Sequence, residues 1–388
     1  MTSETLDTRP NGAGERPKSG KRPVKAVGLI SLVLTVALLF GLLMNNSDPG
    51  RSGQTNPADL ALMARYDMYM TNAVSNALDG VLSIKKVYWL SDDDLVAPEP
   101  DQSCYGETDD PSSLQWLLDE AAEILEGQDT LFTTETPIIP GTKVTYYLDE
   151  TIFAITWKQA LDYMCYTISE VKIAHPSQFR RFLAGGEYGS SVQLTTTEMA
   201  ASVNAVVASA GDFYKFRRAG AIVYDGKLRR MDGTPLDVCF VDRSGNLILR
   251  SRDEITTEEA VNAFIEENDI QFSIAFGPVL IRDGERCDPL QYPLGEINDE
   301  FSRSGIGQRG DLHYICTTVN HQYYDNVPDI HQFAKAVERF GCEQFYTLDG
   351  GQTASIAMND KLINAVDNGA QRRISDIFYF ATAIPDGG

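Results

Sequence analysis

Histidine is scarce in this chain, four in 388 residues. His175, His313, His321 and His331 show no metal-ligand spacing, and each reads as structural rather than catalytic. No CxxC and no Cys/His cluster is present, so the usual zinc patterns are excluded. The acidic run Ser91-Asp92-Asp93-Asp94 lacks the glycine and distal glutamate of an EF-hand loop and reads as a solvated loop. No metal and no cofactor is therefore expected. Positive charge is also short, with 33 Lys and Arg against 55 Asp and Glu and a formal net charge of −22. Such a surface repels nucleic acid and anionic lipid, so no nucleic-acid partner is expected. No internal repeat is visible.

One long uncharged run stands out against this background. Ala26 to Met44 is about the length that crosses a bilayer as a helix. Residues 1–25 before it carry Arg9, Arg16, Lys18, Lys21, Arg22 and Lys25 against three acids. That basic flank predicts a cytoplasmic tail, a single transmembrane helix at 26–44, and an extracellular remainder at the cell membrane. The run has no small-x-small site before Asn45-Asn46-Ser47, which favours an anchor over a cleaved signal. All six cysteines lie beyond it, an even number that permits up to three disulfides on the oxidising side. Cys165, Cys239 and Cys316 sit in apolar runs where buried thiols are equally expected.

The rest divides by texture. Residues 45–56 are a polar linker. Residues 57–141 read as a helical and acidic-loop stalk, with a helix over 57–79 and another capped by Ser112 and stopped by Gly127. From Thr142 to the end, β-branched and aromatic runs alternate with short breaks. Val144–Leu148, Thr151–Ile155, Tyr163–Ile168, Val206–Ser209, Phe272–Leu280 and Leu312–Val319 read as strands. Asp225-Gly226 and Ser244-Gly245-Asn246 mark hairpins. Thr195 with Glu198 and Thr256 with Glu259 read as capping boxes, and Asp329 caps a helix that Gly341 ends. The fold class expected at 142–388 is α+β, with mainly antiparallel sheets and flanking helices.

Four segments pair turn-forming residues with charged or small polar groups. They are Ser209 to Tyr214, Ser302 to Gly307, Tyr346 to Ala354, and Arg372 to Asp376. The third, Leu348-Asp349-Gly350-Gly351-Gln352-Thr353-Ala354, puts a carboxylate at a strand end beside a loop whose N–H groups can approach a ligand closely. Convergence of the four would join two carboxylates, the usual equipment for glycosidic cleavage, to guanidiniums that fit phosphate oxygens.

Over roughly Thr142 to Ala383 the chain resembles the phosphodiester glycosidase family. That is the family of the N-acetylglucosamine-1-phosphodiester α-N-acetylglucosaminidases, which includes bacterial proteins linked to exopolysaccharide synthesis. The residues that carry the resemblance come in order. They are Thr195-Thr196-Thr197-Glu198-Met199-Ala200, Ala210-Gly211-Asp212-Phe213-Tyr214 with Phe216-Arg217 and Gly220, and Phe276-Gly277-Pro278. Arg303-Ser304-Gly305-Ile306-Gly307, Leu348-Asp349-Gly350-Gly351, and Arg372 with Ser375-Asp376 follow.

The resemblance implies hydrolysis of a sugar-1-phosphodiester at its anomeric C–O bond, with a glycan or sugar phosphate as substrate. Asp349 would be nucleophile or general base, and Asp212 the second carboxylate or a sugar-hydroxyl ligand. Arg303 and Arg372 would clamp the phosphate, while Gly350, Gly351, Thr353 and Gly307 would shape the binding loops. Ala210 and Thr347 stand where the family usually has Asn, Ser302 where it has Pro, and Gln352-Thr353-Ala354 where it has Gly-Ser-Ser. These departures define the alternative function, a catalytically weakened carbohydrate-binding or exopolysaccharide-assembly protein with surface-polysaccharide assembly proteins as partners.

Overall fold

The computed structural model describes residues 88–92, 95–212, 214–289 and 292–385. The expected tail, transmembrane helix, linker and 57–79 helix lie outside the described residues. Among the described residues no helix is long and apolar enough to cross a membrane.

Along the chain come β1 (Tyr105–Thr108), α1 (Gln115–Leu125), β2 (Val144–Leu148), β3 (Ile152–Leu161), β4 (Met164–Ile173), β5 (Phe179–Leu183), α2 (Thr196–Ser202) and β6 (Val207–Ala210). Then follow β7 (Ala221–Tyr224), β8 (Lys227–Met231), β9 (Val238–Asp242), β10 (Leu247–Arg250), α3 (Glu258–Glu267), β11 (Ile270–Ile274), β12 (Val279–Arg282) and β13 (Glu285–Arg286). The last third holds β14 (Arg303–Gly310), β15 (His313–Asn320), α4 (Ile330–Val337), β16 (Gln344–Leu348), β17 (Ile356–Met358), β18 (Lys361–Leu362) and β19 (Asp376–Phe380).

A nine-stranded sheet runs β1-β2-β3-β4-β15-β14-β16-β12-β13. A five-stranded sheet runs β18-β17-β6-β19-β5, a three-stranded one β10-β9-β11, and β7-β8 stand as a pair. Every strand pairing within these sheets is antiparallel, as expected from the hairpin-rich sequence.

The central sheet is covered on both faces. Phe153, Ile155, Trp157, Tyr166, Ile168 and Phe345 join one core with α1 and α4. Ile152, Ala154, Val171, Ile306, Tyr346 and Leu348 join another with strands of the two smaller sheets. Burial on both sides explains why β4 is buried at all ten positions even where Thr167, Ser169, Glu170 and Lys172 interrupt its apolar residues.

Local chemistry sets most boundaries. Thr195 and Asp329 form reciprocal caps with Glu198 and Gln332. Asp225 and Gly226, at φ 54° and 64°, make the β7–β8 turn.

Other expectations need correction. Asp110 rather than Ser112 caps the turn that leads into α1. Thr257 rather than Thr256 caps α3. The Phe272–Leu280 run is two strands in different sheets, interrupted at Gly277-Pro278. Ser302–Gly307 is no turn, since Arg303 opens β14. Residues 105–125, assigned to the stalk region from sequence, pair with β2 and pack in the helix-side core. All six cysteines are free thiols.

Candidate functional site

β16 delivers Asp349. It pairs with β14 up to Ser304↔Leu348, and the chain then leaves the sheet. Gly351 N–H donates to Ser302 O at 2.8 Å. A Cβ on Gly350 would sit 2.3 Å from that same carbonyl, so only glycine allows the approach. Gly351 adopts φ 59°, and Gly351–Thr353 form a 3-10 turn. The turn brings the Thr353 hydroxyl 2.7 Å from Asp349 Oδ2. Burial pushes the Asp349 carboxyl up to about 6, against the opposing pull of the Thr353 hydrogen bond, Arg372, Arg217 and the Gly350 N–H. A rise of that size penalises the charged form by about 3 kcal/mol. Thr347, two residues earlier, is buried with its hydroxyl unpaired.

Two cations therefore act on this acid through their charge, Arg372 and Arg217. Arg372 lies on the loop before β19, and that loop is tied down around it. Gln371 Nε2 donates to Thr197 Oγ1 at 2.8 Å, and Arg373 pairs with Glu198 at 2.9 Å. Gln352 Nε2 donates to Ala370 O at 2.8 Å, and Ser302 Oγ to Asp367 Oδ1 at 2.7 Å. The Arg372 guanidinium stands 5.5 Å from the centre of the half-exposed Phe216 ring. Arg217 follows that ring in sequence.

The structure thus brings Asp349, Gly350, Gly351, Thr353 and Arg372 together and adds Arg217. Asp212 and Arg303 are engaged elsewhere, and Gly307 lies within β14. Asp212 is buried, with Oδ1 receiving Tyr214 N–H at 2.9 Å and Oδ2 receiving Ala275 N–H at 2.9 Å. Arg181 Nη2 lies 3.1 Å from Asp212 Oδ1 and 2.8 Å from Asp376 Oδ2. Burial opposes the charge of Arg181, but Asp212 and Asp376 outweigh it and raise its pKa. Asp376 is pushed up by burial and by Asp212 despite Arg181. This buried triad ties β5, β6 and β19 together.

Arg303 donates to the carbonyls of Ile297 (2.8 Å), Asp299 and Pro328 (3.4 Å), with burial lowering its pKa to about 10. It braces the loop before its own strand. Gly307 is a packing position, since a Cβ there would lie 2.5 Å from the Phe345 ring and 2.7 Å from Cys342 Sγ.

Arg217 was named in the resemblance but given no role, and Arg181 was not singled out. Arg181 had a signal: in Phe179-Arg180-Arg181-Phe182-Leu183 it falls in the inward phase of an alternating strand. An inward arginine requires buried carboxylates.

With this geometry in place, the comparisons with known proteins define the class. Residues 202–381 match the model of the phosphodiester glycosidase family. Over that part of the chain the match agrees with the resemblance read from the sequence. Among solved structures, the catalytic domain of zebrafish N-acetylglucosamine-1-phosphodiester alpha-N-acetylglucosaminidase, auto-inhibited by its pro-peptide, is 21% identical. The match covers 60% of this chain and 83% of that one at a TM-score of 0.47. A hypothetical protein from Synechocystis is 14% identical over 64% of this chain and 65% of that one, at a TM-score of 0.45. No curated protein sequence matches the chain.

Proposed function

We propose that the chain is a membrane-anchored, extracytoplasmic hydrolase of sugar-1-phosphodiesters, with an N-acetylglucosamine-like sugar, acting in cell-surface or exopolysaccharide metabolism. The observation that carries this reading is a half-buried carboxylate, Asp349, within the electrostatic reach of Arg372 and Arg217, on a loop whose close approach to Ser302 only a glycine at 350 allows. The guanidiniums would hold the phosphodiester, leaving the anomeric carbon toward Asp349. Asp349 attacks that carbon directly or takes a proton from attacking water. The C1–O bond breaks and its electron pair leaves on the phosphate oxygen. A phosphate monoester is a stable anion, so the arginines replace much of a general acid's work.

The placement of Asp212 favours the second reading, a carbohydrate-binding protein of weakened activity. Both Asp212 oxygens are engaged by backbone N–H groups, and Oδ1 also by Arg181, so the site offers one available carboxylate where glycosidases usually use two. Incubating the full-length protein with a chromogenic N-acetylglucosamine-1-phosphodiester separates the readings. The hydrolase releases free sugar, and Asp349→Asn lowers the rate by about 10³-fold or more. Sugar binding without release at any pH between about 5 and 8, the range bracketing the Asp349 pKa, establishes the binding protein instead.

A further inference from the structure

Six aromatic side chains are well exposed among the described residues: Trp89, Trp116, Tyr163, Phe216, Phe301 and Tyr323. Scattered exposed rings are ordinary. Four of these are not scattered. Tyr163 sits in the β3–β4 turn, and Asn320↔Cys165 places the loop bearing Tyr323 beside it. Arg303↔Val319 places Phe301 next, and Ser304↔Leu348 places the Asp349 loop after that. The loops are joined as well as adjacent. Phe301 N–H donates to Pro328 O at 3.3 Å, and Ala365 N–H to Gln322 Oε1 at 3.2 Å. Phe216 closes the row beside Arg372.

Stability does not explain the two tyrosines. Asp162 and Tyr163 have φ 51° and 62°, a two-residue hairpin turn whose second position favours glycine. Tyr163 occupies it with 79% of its surface exposed. Tyr323 also has positive φ, 63°, and is 53% exposed, with Lys158 Nζ 6.0 Å from its ring centre. Bulky residues rarely adopt this conformation. Phe301 and Phe216 are 43% and 42% exposed.

We propose that Tyr163, Tyr323, Phe301 and Phe216 form a stacking track that holds an oligosaccharide chain across the end of the nine-stranded sheet, leading to Asp349. A pyranose ring presents an apolar face of C–H groups that packs on an aromatic face, while its hydroxyls stay in water. From β4 through β15 and β14 to β16 is three strand spacings, roughly 14 Å, the span of a short glycan rather than one sugar. The substrate class is then a phosphodiester-linked glycan chain. What happens at Asp349 rests on the function proposed above; binding along the track does not.

Calorimetry on the full-length protein carrying Asp349→Asn tests the track without turnover. Hexasaccharides of glucose, galactose, mannose and N-acetylglucosamine are titrated beside their monosaccharides. At least one hexasaccharide binds about tenfold tighter than its monosaccharide, and Tyr163→Asn with Tyr323→Asn removes most of that advantage. Asn tolerates positive φ, so both turns are kept. The track is overturned when no hexasaccharide outbinds its monosaccharide, or when the advantage survives the double substitution. Absence of sugar release by the unsubstituted protein removes the hydrolase and leaves the track standing.

Discussion

Asp349 makes the clearest statements about pH. Its carboxyl ionises at about 6 in the fold against 3.8 as a free group. If it acts as an anion, kcat/KM climbs tenfold per pH unit below about 6 and levels above it. Arg217 and Arg372 both lower this pKa. Arg217→Met therefore moves the acid limb to higher pH and raises KM for the phosphodiester; an unmoved limb in a pH-rate profile removes Arg217 from the site. The stability sign is opposite to that of an ion-paired acid. A raised carboxyl stabilises the fold below the unfolded value and loses that contribution as pH rises through about 6. Asp349→Asn accordingly raises Tm at pH 8 and leaves it nearly unchanged near pH 3.8. Asp349, Gly350 and Gly351 were legible because a carboxylate before two glycines is a local pattern. Arg217 against Arg303 was not, because which guanidinium meets the acid depends on which loops pack together.

At the level of elements, some residues that fix their own backbone were read correctly, while two caps fell one or two positions away, at Asp110 and Thr257. The Thr195 and Asp329 caps and the Asp225-Gly226 turn need only nearby atoms. β14 shows where that reasoning stops. Its glycines looked like turn residues, yet Gly305 and Gly307 lie within a strand and leave room for the Phe345 ring on the neighbouring β16. The demand for glycine comes from a residue about 40 positions away in sequence, so no local window reveals it. Gly307→Val should destabilise the protein by about 1–3 kcal/mol through overpacking, seen as a lower urea midpoint at unchanged m-value. Retained stability would mean that the Phe345 ring is free to move aside.

Across the whole molecule, the central sheet buries both faces, and the triad of Arg181, Asp212 and Asp376 lies where the five-stranded sheet meets β11. Arg181 also donates to Ser273 O on β11. Arg181→Met removes the one guanidinium between two buried carboxylates. The expected loss at pH 8 is about 3–5 kcal/mol, the usual cost of stranding a buried charge. The loss shrinks at pH 5, because Asp376, whose pKa burial and Asp212 raise, then takes up a proton more readily. Urea unfolding at the two pH values measures the difference, and an equal loss at both would show that the triad is not held by charge.

The amino-acid order alone set the hairpins, the Thr195 and Asp329 caps, the α+β class, the glycine-flanked acid and the resemblance that the family match supports over 202–381. These depend on short-range chemistry, or on motif order that survives changes between the motifs. Tertiary structure alone decided that Asp212 belongs to a buried ion pair, that Arg303 braces backbone carbonyls, and that Arg217 joins Arg372 beside Asp349. A charged side chain takes its role from the partners it is buried with. Those partners come from strands and loops that only the folded sheets bring within reach.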